Sequence, residues 1–340
     1  MSEKTKPSDL KLLNRDEVTA TLAPTENLEF TDLKPGDNLE VRFHGSKDEP
    51  VVDLGGRDLQ IIPSAFLDVA KCVGLTRKYT GKCPANLLFP HLDYFFGEGM
   101  SAPIRAISQG DQLIGMTKDR VKTQVISNER LLRAAEANLG DRILGFHQVS
   151  TNLGYSRMGI VTDKSFTPLN SEPTDILYGG IQIQNSILGK DVVEVSPYIF
   201  RQWCSNGAIS SERLGTFTRK KRGDGLDDWF HEIIGDADSK LDREFERISH
   251  LTSISVRGHI PEVLEGIRRD HHISKKIIEV VQDQATSSNV QTMYDLWNCI
   301  TRVATHNETL SPMASSRLQN VAGHVTKNHE LCSQCHRVLN

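Results

Sequence analysis

The chain changes its hydrophobic period at Leu226, and this change constrains the fold more than any other feature of the sequence. From Leu226 to Leu251 apolar residues recur at steps of three and four, which predicts one long amphipathic helix. Pro261 opens a second helical pattern that continues through residues 277–281, and residues 293–303 carry a third. The C-terminal third is therefore predicted to be helical.

The middle of the chain carries short alternating or β-branched runs, each bounded by Gly, Asn, Asp or Pro. These runs cover residues 142–149, 157–162, 176–184 and 192–195, and their spacing predicts a largely antiparallel sheet. Further predicted elements are strands over 39–43, 112–116 and 119–125, and helices over 63–73, 85–96, 128–137 and 198–204, the last starting after Pro197 and stopping at Asn206-Gly207. A β-rich centre followed by helices indicates the α+β class.

Length and composition predict one main domain of an ordinary globular protein, because 38% of the 340 residues are hydrophobic and 25% are charged. We expect a polar N-terminal arm over residues 1–25, a single α+β domain over 26–325 that is β-rich to about residue 225, and a tail over 326–340. The polar start predicts no secretory signal, and no run approaches the ~18 apolar residues of a membrane helix. Six irregularly spaced cysteines favour a reducing compartment, so a cytoplasmic location is expected.

Positive charge is concentrated in one stretch of an otherwise acidic chain. The net charge of −4 means that any polyanion site must be a local patch, and residues 213–222 hold five basic residues and no acid. Aromatic residues in and before this stretch suit single-stranded nucleic acid, whose bases stack and whose phosphates pair with cations. The residues predicted to contact nucleic acid are Arg77, Lys78, Lys82, Arg201, Trp203, Arg213, Phe217, Arg219, Lys220, Lys221 and Arg222. The alternative is a solvated loop.

Two alternatives stay open for Arg201. Its guanidinium could stack on a base or pair with a phosphate, or it could hold an acid inside the fold.

Linear signatures of catalysis are absent from the sequence. It contains no phosphate-binding loop, no His-Glu-x-x-His zinc helix and no Gly-x-Ser-x-Gly nucleophile elbow, so no catalytic residues and no cofactor are predicted. Cys332, Cys335 and His336 could bind zinc or, less plausibly, attach haem, but they lack a second pair of ligands at the usual spacing and are interpreted as an incidental tail. His271 and His272 are interpreted as paired solvent histidines.

The segment from Tyr178 to Ala208 resembles the phage/plasmid-like protein family, a family of unknown function. The likeness lies in Gly179-Gly180, a strand ending in Asn185-Ser186, a second strand, an expected helix that carries aromatic residues and Arg201, and the run Cys204-Ser205-Asn206-Gly207. Residues 296–304 and 318–323 agree more loosely, so the resemblance covers about residues 35–325. It implies a gene carried by phages and plasmids and suggests a role in handling DNA, and it provides no catalytic residues.

Three functional hypotheses follow from the sequence. The first is a non-catalytic nucleic-acid-binding protein, with single-stranded DNA preferred to duplex, acting in annealing during replication or recombination; it allows a homo-oligomer and involves no membrane. The second is a protein–protein interaction module that modulates a host enzyme. The third is an enzyme whose reacting groups meet only in the folded chain.

Overall fold

The computed structural model describes residues 12–37, 40–118, 126–152, 155–169, 171, 175–186, 192–201, 206–209, 215–218, 225–307, 310 and 312–328. Within these ranges the chain forms two six-stranded sheets and ten α-helices. The predicted α+β class is confirmed. None of the described helices combines the length and the apolar character needed to traverse a bilayer.

The first sheet occupies the N-terminal part of the chain. Its strands are β1 (Glu29–Leu33), β2 (Val41–Gly45), β3 (Pro50–Leu54), β4 (Asp58–Ile61), β5 (Ile104–Gln109) and β6 (Gln112–Lys118). They lie in the order β1-β5-β6-β4-β3-β2, and β4 runs parallel to β6 while the other pairs are antiparallel.

Three helices connect β4 to β5 and bury the apolar side chains of the first sheet. They are α2 (Pro63–Cys72), α3 (Arg77–Lys82) and α4 (Ala85–Gly97). Pro63 stands in the first turn of α2, and Gly74 follows its end with φ +78°, a conformation that glycine adopts without strain. Phe43, Phe66 and Phe96 belong to the resulting core.

The second sheet occupies the middle of the chain and is antiparallel. Its strands are β7 (Ile143–Asn152), β8 (Tyr155–Phe166), β9 (Leu177–Ser186), β10 (Val192–Arg201), β11 (Asn206–Ile209) and β12 (Gly215–Thr218). They lie in the order β11-β10-β9-β8-β7, and β12 also pairs with β10. Helix α5 (Asn128–Leu139) and the first half of α6 (Leu226–Leu251) cover one face.

The C-terminal third is helical, as predicted. After α6 come α7 (Ile260–Asp270), α8 (Lys275–Ser287), α9 (Met293–His306) and α10 (Pro312–Asn328). Asp227 and Asp228 stand in the first turn of α6, where acids offset the helix dipole. These helices enclose the largest hydrophobic cluster described, which contains the buried Trp297.

The predicted helix over residues 198–204 is wrong, because residues 192–201 form one continuous strand, β10. Pro197 cannot donate a backbone hydrogen bond, but on one edge of β10 no described strand pairs with it, so a donor there is not required. On the edge of β10 away from β9, β12 pairs with Val192–Val195 and β11 pairs with Tyr198–Arg201. Pro197 lies in the gap between these two short strands, a position that tolerates proline. Asn206-Gly207 correspondingly begins β11 and does not cap a helix.

The predicted N-terminal arm is wrong from Arg15 onward, because residues Arg15–Glu26 form helix α1. Asn14 and Glu17 close a reciprocal capping box at its start, which satisfies backbone donors that would otherwise be unpaired. Val18 and Leu22 are buried in the core shared with α5 and the second sheet.

Other predicted boundaries have different outcomes. Helix α10 extends past residue 325, where the tail was expected to begin. The predicted strand over 119–125 lies outside the described residues. The single domain over 26–325 stays a prediction, and each sheet buries a hydrophobic cluster of its own.

The second sheet is strongly curved. Adjacent strands lie about 4.8 Å apart, so β7 and β10, three strands apart, would be separated by roughly 14 Å in a flat sheet. The rings of His147 on β7 and Phe200 on β10 nevertheless lie 4.8 Å apart between centroids, and the Tyr198 hydroxyl hydrogen-bonds to Nδ1 of His147. The face that carries these three side chains is therefore concave, and α5 and α6 pack on the opposite face.

Candidate functional site

The clearest cationic surface in the described part of the chain is helix α3. Thr76 caps it by accepting a hydrogen bond from the Tyr79 backbone, and Lys47 Nζ donates to the carbonyl oxygens of Gly81 and Cys83 near its end, at 2.7 and 2.9 Å. Arg77, Lys78 and Lys82 are all exposed. No carboxylate of the described residues pairs with any of these three cations. The short helix therefore presents fixed positive charge to solvent.

Aromatic surface accompanies this charge. Tyr79, between Lys78 and Lys82, is 45% exposed. A hydrogen bond with the Cys83 thiol raises the pKa of Tyr79, so its ring stays neutral at physiological pH. On α4, Leu87, His91 and Tyr94 follow each other at helical spacing on the exposed side, and Tyr94 is 63% exposed. Helices α3 and α4 thus both expose groups that could contact a flat apolar ring.

Arg201 does not contribute to such a surface. It ends β10, where Nε donates to Oδ1 of Asp175 at 2.5 Å and Nη2 donates to Oδ2 at 2.8 Å. The Tyr294 hydroxyl donates to Oδ2 of the same carboxylate at 2.8 Å, and the guanidinium carbon lies 5.8 Å from the centroid of the Tyr294 ring. Burial raises the pKa of Tyr294 far above its ordinary value, so the phenol stays a donor. Of the two sequence alternatives, the structure supports an acid held inside the fold.

The remaining predicted contacts lie outside the described residues or are described only in their backbone. Phe217 is part of β12, opposite Val193 of β10, and its side chain is not among those described. The basic run begins immediately after β12 ends at Thr218 and precedes α6. The predicted residues outside the described ranges are Trp203, Arg213, Arg219, Lys220, Lys221 and Arg222.

A buried polar group on the concave face of the second sheet was missed by the sequence analysis. Arg157 on β8 is 7% exposed and donates through Nη1 to Oε1 of Gln319 on α10, at 2.8 Å. Gln319 in turn donates to Gln148 of β7, and Gln148 Nε2 donates to Thr305 of α9 at 3.1 Å. Two neutral amides and a hydroxyl, on α10, β7 and α9, thus form a hydrogen-bonded chain that starts at the guanidinium.

Neighbouring strands add two further features to this face. Gln182 of β9 is 1% exposed, and its Oε1 accepts a hydrogen bond from Gln184 at 3.0 Å. Gly159 faces Tyr198 closely enough that a Cβ there would lie 3.0 Å from the tyrosine ring. Burial raises the pKa of Tyr198 and lowers that of Arg157, because both charged forms are poorly solvated there.

One histidine differs from its predicted surroundings. His272 is exposed, but His271 is half-buried and its ring centroid lies 5.3 Å from that of His324 on α10. Burial lowers the pKa of His271, as do His324 and His272, whereas Asp270 raises it.

Neither a metal-ligand cluster in the described residues nor a similar known protein identifies a function. In the described ranges no group of three or more His, Cys, Asp or Glu side chains could hold a metal ion, and the predicted tail ligands Cys332, Cys335 and His336 lie beyond those ranges. Comparison of the chain with protein-family models, with curated proteins and with solved structures found no match.

Proposed function

We propose that this chain is a non-catalytic protein that binds single-stranded DNA through exposed cationic surfaces, in the replication or recombination of a phage or plasmid. The observation that carries the proposal is the state of α3. Arg77, Lys78 and Lys82 are exposed and have no carboxylate partner among the described residues. Unpaired surface cations keep their full charge available for phosphates, and they release condensed counterions when they bind.

The preference for single strands rests on the exposed tyrosines. Base–aromatic stacking contributes about 1–3 kcal/mol per base and needs a base whose face is free. Tyr79 projects from among the α3 cations, and Tyr94 is exposed on the next helix. In a duplex the bases stack on each other, so these rings would gain little from it.

The basic run Arg219–Arg222 is the second part of the proposed interface, together with Trp203, Arg213 and Phe217. Its support is the sequence: four consecutive cations that directly follow an edge strand. A cytoplasmic location and the phage or plasmid origin belong to the same proposal. A homo-oligomer would align several copies of the interface along one strand and raise the apparent affinity by multivalency.

The test is a titration of labelled single-stranded and duplex DNA with the full chain at about 50 and 200 mM salt. We expect tighter binding of the single strand, with an affinity that falls steeply with salt. The slope of log affinity against log salt is negative. Changing Arg77, Lys78 and Lys82 to Glu should reduce its magnitude by about 2, because each lost phosphate contact removes about 0.7. The triple variant K220E/K221E/R222E tests the basic run in the same way.

The matched control is R257E/K275E/K276E, which changes the net charge by the same amount at three exposed cations of the helical third. This control should keep most of the wild-type affinity. Absence of binding by the wild type at low salt would contradict the proposal. Equal weakening in the α3 variant and the control would also contradict it, because affinity would then follow net charge alone.

A further inference from the structure

Arg157 is a buried cation that no buried anion neutralises. It projects from near the start of β8 onto the concave face and makes no ion pair with any carboxylate in the described part of the chain. Glu194 lies in the same cross-strand row, but Gln184 of β9 stands between the two residues. Isolated charges are rarely buried in proteins, because water solvates them far better than the interior does.

The neutral groups around Arg157 are arranged for a positive charge but do not cancel it. Gln319 turns its carbonyl oxygen toward the guanidinium and its amide nitrogen away, toward Gln148. Tyr198 could supply a negative charge only as a phenolate, and burial raises its pKa far above the ordinary value. The phenol therefore stays neutral, and the site carries a net positive charge at physiological pH.

Two buried donors on this face have no hydrogen-bond acceptor within the protein. They are Nε of Arg157 and Nε2 of Gln182. The two residues are diagonal neighbours on adjacent strands: Arg157 pairs with Gln184, and Gln182, two residues earlier on β9, pairs with Gly159. Side chains in this relation reach the same space above the sheet. Because Gln184 holds the Gln182 carbonyl oxygen, the amide is oriented with its NH₂ group as the unused end.

We propose that the concave face of the second sheet binds a small molecule through a phosphate or carboxylate group, held by Arg157 and Gln182. Such a group supplies the two missing acceptors and the missing negative charge together, and a planar guanidinium matches either oxyanion. The molecule is small because the two donors, Arg157 Nε and Gln182 Nε2, are buried on the concave face of a sheet curved strongly enough to bring the rings of His147 and Phe200 into contact. The described cations and exposed tyrosines of the DNA interface proposed above lie on α3 and α4, so this site uses different residues.

The experiment is a calorimetric titration of the full chain with inorganic phosphate and, separately, with acetate, each at constant ionic strength in chloride. We expect one saturable site for at least one of the two oxyanions, and the stronger binder identifies the class of head group. Arg157→Met should weaken that binding on the order of 100-fold, because it removes the charge and more than one charge-assisted hydrogen bond. Gln182→Met removes one neutral donor and should weaken binding about tenfold.

The matched control is Arg105→Met. Arg105 belongs to the first sheet and is also largely buried, but Asp32 neutralises it through Nε at 2.7 Å, so oxyanion affinity should not change. If Arg157→Met does not fold, Gln182→Met decides the question, because it keeps the cation in place. No saturable binding of either oxyanion by the wild type overturns the proposal, and so does wild-type affinity in the Gln182 variant.

Discussion

Replacing Arg201 by Met tests whether this arginine is part of the core or part of a binding surface. The substitution keeps an apolar stem of similar length and removes the guanidinium. It leaves Asp175, whose side chain is 6% exposed, without two charge-assisted hydrogen bonds. Removing one partner of a buried ion pair costs roughly 3–5 kcal/mol, because the other charge stays desolvated and unpaired.

Two smaller contributions modify this value. The Tyr294 hydroxyl still donates to Asp175 in the variant and offsets about 1 kcal/mol. Loss of the contact between the guanidinium and the Tyr294 ring costs about 0.5–1 kcal/mol. We therefore expect Arg201→Met to lower the free energy of unfolding by roughly 2.5–5 kcal/mol.

Urea denaturation followed by circular dichroism and tryptophan fluorescence measures this loss. Trp297 is a local probe, because its ring stacks on Tyr294 with centroids 5.9 Å apart. The double variant Arg201→Met with Asp175→Asn should recover most of the stability, since no buried charge then remains. A loss below about 1 kcal/mol for Arg201→Met, together with weaker DNA binding by the folded variant, would refute the assignment of Arg201 to the core.

Two further predictions concern a glycine and a histidine. Gly180→Ala should destabilise the chain by several kcal/mol in the same assay, because its Cβ would lie 1.9 Å from the carbonyl oxygen of Ile160 on the neighbouring strand; its control, Gly235→Ala in the exposed middle of α6, should stabilise it by about 0.5–1 kcal/mol. His271 has a pKa below its ordinary value of about 6.5, so the unfolded chain binds more protons as the pH falls through 6.5 towards the folded pKa. The stability that neutral His271 contributes is present above that pH window and is lost within it. The urea midpoint should therefore fall less between pH 7.5 and pH 5.5 in His271→Gln than in the wild type. An equal fall in both chains would refute this.

The hydrophobic periodicity of the sequence correctly predicted several of the helices that bury one apolar face. The boundaries of α6 agree with the prediction because its apolar residues repeat at helical spacing over 26 residues. Pro197 shows the opposite case. A proline followed by Tyr198-Ile199-Phe200 favours a helix start locally, and only the pairing of β11 and β12 on either side of it makes a strand acceptable.

Helix α1 could have been predicted. Asn14 and Glu17 form a capping box that is visible in the sequence, and Val18 and Leu22 are spaced four apart. Composition alone, dominated by polar residues and Pro24, favoured an arm instead.

The roles of the buried arginines could not be predicted, because their partners are distant in sequence. Asp175 precedes Arg201 by 26 residues, and Gln319 follows Arg157 by 162. Strand register and helix docking bring these pairs together, and neither follows from local pattern. The cationic cluster on α3, in contrast, is visible in the sequence, because Arg77, Lys78 and Lys82 lie within six residues of each other and no acid occurs among them.

The interrupted pairing along β10 also bears on self-association. A sheet that ends in a long, flat strand offers a continuous row of free backbone groups to which another chain can add, and this is a route to aggregation. Here β11 and β12 form the outer margin with four residues each, and Pro197 breaks the row behind them. An incoming strand would find no uninterrupted template on that side, so the break that accommodates the proline also hinders fibrillar stacking of neighbouring copies.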